Sequence, residues 1–145
     1  MEVRERPFRI LGMLGWFTVT LASIGQAGDI PTLGPAMVVP ISSDGVQRAT
    51  VTLDSYSYSP NHLVVESGKP VELTLMSVTT ITPHNFIIKD STSGLSVEQD
   101  VGAGKTVIVR FVPTQRGFVS FFCDKRLWPM PSHRDKGMEG LLEVK

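Results

Sequence analysis

Apolar residues in this chain come in short runs with a period of two, and a turn signal closes almost every run. In KPVELTLMSV (69–78), Val71, Leu73 and Leu75 alternate with Glu72 and Thr74, the spacing of a strand with one buried and one wet face. TVIVRFVP (106–113) sets Val107, Val109 and Phe111 on one side in the same way. VQRATVTLDSYSY (46–58) is dense in β-branched residues. NHLVV (61–65) is followed by a Ser67-Gly68 turn, and HNFIIKD (84–90), GFVSFFC (117–123) and GLLEVK (140–145) complete the series. Among 145 residues, 13 Gly and 10 Pro punctuate these runs, and no stretch sustains a helical period. About seven or eight short strands at such spacing predict an all-β fold, a Greek-key β-sandwich or barrel, over residues 47–145.

The residues before this domain have a different character. MEVRERPFR carries Arg4, Arg6 and Arg9, an uncharged stretch runs from residue 10 to 28, and Gly25 and Ala27 are small. A basic start, a short apolar centre and small residues describe a secretory signal over residues 1–27, cut after Ala27. The same uncharged stretch is also just long enough to cross a bilayer, so an uncleaved anchor over residues 10–28 is the alternative. Either way the domain is expected outside the cytoplasm, in a periplasm or an equivalent compartment. Residues 28–46 hold Pro31, Pro35 and Pro40 and read as a linker or extended arm. The net formal charge is zero, so no broad basic surface points to nucleic acid.

Export sharpens the meaning of the only cysteine, Cys123. Exported cysteines usually pair, and this one has no partner within the chain. It lies at the end of a predicted strand, with His133 in the loop beyond it and Met138 just before the last strand. His84 begins another strand. A thiolate, two imidazoles and a weak axial thioether are the ligand set of a blue-copper site. Thiolate and thioether suit Cu(I), and imidazole serves both oxidation states. A closed zinc site would more often hold four Cys or His ligands. His62 has no partner in sequence and reads as structural. Met130 competes with Met138 for the axial position.

The Pro83-His84-Asn85 triplet and the order Cys123, His133, Met138-Glu139-Gly140 resemble the cupredoxin family, its plastocyanin- and azurin-like members in particular. The resemblance covers residues 47–145. It implies one copper ion held by His84, Cys123, His133 and Met138, with Asn85 ordering the ligand loops and hydrogen-bonding near the cysteine sulfur. One departure stands out: DKRLWPMPS (124–132) separates Cys123 from His133 by a longer span than in the familiar members.

The expected function is that of a mobile, monomeric electron carrier cycling between Cu(I) and Cu(II). It would exchange electrons with a donor and an acceptor redox protein, and touch a membrane only if the N-terminal segment is retained. No catalytic group is required. The alternative is copper storage or delivery to an oxidase, although the six methionines are scattered. A third reading is catalysis at an open copper position created by the long loop. The cluster Lys125, Arg126, Arg134 and Lys136 reads as a solvated loop or a steering rim. Trp128 and Met130 form a contact patch or fold back over the metal.

Overall fold

A computed structural model describes residues 32–145; the basic start and the uncharged stretch lie outside the described residues. Among the described residues, ten strands make two layers. A six-stranded sheet has the order β1 (Met37–Val38), β4 (His62–Val65), β10 (Glu139–Val144), β9 (Gly117–Phe122), β6 (His84–Asp90), β7 (Leu95–Val101). A four-stranded sheet has the order β3 (Ser57–Ser59), β2 (Gln47–Asp54), β5 (Val71–Ser77), β8 (Thr106–Phe111). The expected all-β sandwich is therefore present. Three strands go beyond those legible as apolar runs. β1 and β3 are too short to show an alternation, and β7 is an edge strand whose LSVEQDV is mostly polar.

Period-two patterning explains the layers. In β5, Val71, Leu73, Leu75 and Ser77 are buried while Glu72, Thr74 and Met76 face outward. In β8, Val109 and Phe111 are buried and Val107 is partly so, as the alternation requires. β6 departs from alternation: its first five residues, His84 to Ile88, are all buried. This strand pairs with β7 on one side and meets β9 on the other, so it lies inside the sheet with both edges covered, and its first five side chains are buried on both faces.

The arm before β2 closes the sandwich edge. Met37 and Val38 pair in parallel with Leu63 and Val64, and Ile41 then bridges to Gln47 of the other sheet. Strand directions define one end of the molecule. β9 runs toward Cys123, and antiparallel β10 and β6 begin beside its end. β4 is parallel to β10, and β1 to β4, so both also begin there. All the candidate metal donors lie at this end.

Beneath it the core is aromatic. Phe86 and Phe121 stack with centroids 5.0 Å apart, and Tyr58 meets Phe121 edge-on at 5.2 Å. Gly140 crosses directly over this cluster. A Cβ there would collide with the Phe121 ring and lie 2.6 Å from the Asn61 carbonyl oxygen. We therefore expect Gly140→Ala to destabilise the fold by about 1–3 kcal/mol, the usual cost of overpacking. Adding Phe121→Leu should recover part of that loss, because the ring is one of the two obstacles. Urea denaturation of the two variants checks both expectations.

Candidate metal centre

His84 opens β6 and is fully buried. Neither of its ring nitrogens has a hydrogen-bond partner. A buried polar atom left unpaired costs on the order of 1–3 kcal/mol, so such atoms are rare without a reason. Burial, and secondarily the nearby His133, push its pKa down to about 4. The imidazole is thus neutral near pH 7, with a lone pair free for a metal.

Cys123 follows the last residue of β9 and is also fully buried. Its sulfur accepts the backbone N–H of Asn85 at 3.4 Å and lies 3.4 Å from Nδ1 of His133. Burial raises the thiol pKa, against the lowering effect of the Asn85 and Lys125 amides. The Cys123 backbone N–H donates to the Met138 carbonyl at 3.1 Å.

His133 is held through its main chain. Its N–H donates to the Lys125 carbonyl at 2.9 Å, and its own carbonyl accepts the N–H groups of Lys136 and Met138. A 3-10 turn at Arg134–Lys136 follows, and Gly137 ends it with φ +92°, a left-handed conformation that favours glycine. That reversal delivers Met138 back toward the core, where its side chain is fully buried in the same hydrophobic cluster as Cys123.

The donor atoms of His84, Cys123 and His133 all lie within 4.8 Å of one another. The three side chains come from β6, the end of β9 and the loop beyond, so the long 124–132 span does not carry His133 away from the others. Met138 sits beside them through two backbone hydrogen bonds. Met130 is half exposed in the loop. His62 lies outside the group, with Nε2 3.4 Å from a carboxylate oxygen of Glu143.

The surroundings tie these donors together. Asn85 Nδ2 donates to Asp124 Oδ1 at 2.7 Å, and the Asp124 N–H donates back to Asn85 Oδ1 at 3.1 Å. The Asn85 carbonyl accepts the Tyr58 hydroxyl. Over His133 lies Tyr56, edge to ring at 5.0 Å, with the Lys136 ammonium 4.1 Å above the Tyr56 ring. Sequence reasoning missed Asp124 and Tyr56. Asp124 is adjacent to the cysteine, which is a usable signal. Tyr56 has none, because it reaches the site only through the β2–β3 turn. Half of the basic loop cluster is paired: Lys125 with Asp100 and Arg134 with Glu139, each at 2.7 Å.

Unpaired imidazole nitrogens, one thiol and three buried donors within a single coordination radius fit one copper ion better than a closed zinc site. A family model described as a cupredoxin-like domain matches residues 13–137. No curated protein matches the chain.

Among solved structures, the metal-binding domain of a Cu(I)-exporting P-type ATPase from Streptococcus pneumoniae is 18% identical, with a TM-score of 0.57, covering 77% of this chain and 96% of that one. Auracyanin from Roseiflexus castenholzii is 16% identical, with a TM-score of 0.56 and coverage of 68% and 96%. Auracyanin A from Chloroflexus aurantiacus, described as a "blue" copper protein, is 17% identical, with a TM-score of 0.52 and coverage of 68% and 99%. At these identities the likeness is one of fold. Because the family match spans most of its length, the chain belongs to the cupredoxin-like family.

Proposed function

We propose that this chain is an exported electron carrier, a mononuclear type 1 copper protein that takes an electron from one redox protein and passes it to another. The observation that carries the reading is the buried trio His84, Cys123 and His133, with both nitrogens of His84 unpartnered. A bound copper ion supplies the one-electron chemistry by alternating between Cu(I) and Cu(II). His84, Cys123 and His133 would hold the ion, with Met138 as a further, weaker donor. The burial of Met138 favours it over Met130, which is half exposed.

The protein's own contribution is a rigid, dry holder. Asn85 locks β6 to Asp124 and directs its amide at the Cys123 sulfur, and such outer contacts orient ligands and tune the metal. Tyr56 covers His133 and keeps bulk water from that side. His84 and Cys123 are sealed, and His133 is only 8% exposed. This suits an electron handed across a protein surface better than a substrate bound at the metal, and His133 is the ligand nearest the outside. Export rests on the basic and apolar N-terminus read from the sequence. The delivery alternative draws on Met130, exposed beside His133, because a thioether at the surface suits transfer of Cu(I).

A visible spectrum of the purified protein with measured copper content separates the two. An intense thiolate-to-Cu(II) absorption with reversible reduction is expected; a labile, colourless Cu(I) protein would favour delivery. Cys123→Ser should abolish the colour, while His62→Ala should leave it unchanged. Met138→Leu should keep the colour and raise the reduction potential by removing a donor that favours Cu(II). Voltammetry in which Met130→Leu has that effect instead would overturn the choice of Met138. Asn85→Ala should weaken copper retention by about 10–100-fold, the usual loss when an outer-shell partner goes, measured by competition with a chelator.

A further inference from the structure

The end of the molecule that carries the donor trio also carries several strongly exposed apolar side chains. Ile81, Leu127 and Trp128 are 87%, 72% and 81% exposed. With Met130 they crown the loops around a groove of about 390 Å³ lined by Tyr56, Ile81, Pro83, Leu127, Met130 and His133. Exposed apolar side chains grouped this way mark a contact surface. Lys125 and Arg134 are paired with Asp100 and Glu139, while Arg126 and Lys136 keep positive charge at the groove, which suits an anionic headgroup. Trp beside aliphatic residues and scattered cations is the composition of a surface that sits at a lipid–water boundary.

The chain's path gives a second, independent reason. β1 and β4 both begin at this end, so the arm enters there. Asn61, just before β4, straps it down: its Oδ1 accepts the Gly34 N–H at 2.8 Å and its Nδ2 donates to the Thr32 carbonyl at 3.0 Å. Only four residue steps separate Thr32 from the end of the uncharged 10–28 stretch, a reach of at most about 14 Å. A bilayer holding that stretch would lie against the end bearing His133 and the exposed crown.

We propose that residues 10–28 are retained as a membrane tether and that the metal-bearing end faces the bilayer, with Ile81, Leu127 and Trp128 in the headgroup layer. An electron or ion leaving by His133 then emerges at the membrane surface, within reach of membrane-embedded partners. The proposal rests on strand direction and surface composition and holds whichever metal occupies the site.

The test uses the full chain carrying Trp16→Phe, which leaves Trp128 as the only tryptophan. It is reconstituted in vesicles of equal parts phosphatidylcholine and phosphatidylglycerol, with or without brominated acyl chains. Trp128 emission is expected to shift to the blue and to be quenched severalfold by the brominated lipid. Ile81→Ser with Leu127→Ser, both at exposed positions, should at least halve that quenching and leave the copper spectrum unchanged. Emission that stays water-like and unquenched on lipid overturns the proposal and leaves the crown to a protein partner. Recovery from cells of a soluble chain lacking residues 1–27 overturns the tether. A colourless protein whose Trp128 is quenched would refute the electron-carrier reading and support this one.

Discussion

The exchange of hydrogen bonds between Asn85 and Asp124 is the constraint on which the metal-bearing end depends. These residues stand directly beside His84 and Cys123, at the ends of two strands that share only one paired position, Ile87 with Phe122. Without a tie beyond that point the ends of β6 and β9 would be free to splay. The Asn85 side chain satisfies the Asp124 N–H and occupies one Asp124 carboxylate oxygen, and its backbone N–H donates to the Cys123 sulfur. One residue therefore sets the spacing between an imidazole and a thiol. The Tyr58 hydroxyl, bonded to the Asn85 carbonyl, links this brace to the aromatic core below. Side-chain networks of this kind, when all members are satisfied, rigidify the structure around them.

The remaining ligand segment is stabilised differently. The main chain on either side of His133 and Met138 is pinned by backbone hydrogen bonds to Lys125 and Cys123, with Gly137 making the reversal. β6 and β9 thus supply a fixed floor, and a short folded loop closes over it. The unpaired nitrogens of His84 follow from this arrangement. The fold thus holds a buried imidazole at a cost in stability, with its nitrogens facing the other donors. Such local cost is common where structure serves binding.

How much of this was legible in the sequence differs from element to element. β5 and β8 announce themselves because each has one buried and one solvated face, and alternation is the direct signature of that condition. β6 was legible from its apolar density. β7 was not, since an edge strand with mostly polar side chains reads like a loop until its pairing with β6 is known. β1 was read as part of an arm, and two residues cannot display a period. At the site, residue chemistry and chain order were enough to single out His84, Cys123 and His133, which the fold brings together. Tyr56 was invisible because its role depends on where a turn from the other sheet happens to land. The geometry of the 124–132 span was equally hidden, since length alone does not say whether a loop bows outward or displaces its ends.

That span bows outward, and its base is narrow. The His133 N–H meets the Lys125 carbonyl at 2.9 Å, so the residues between them form a closed excursion pinched at its neck. The rung holds His133 in place, while Leu127 and Met130 of the excursion line the groove beside it. A change of length or sequence between the two ends of that rung can leave the donor positions as they are, so the surface this loop presents and the site beneath it are separable parts of the fold.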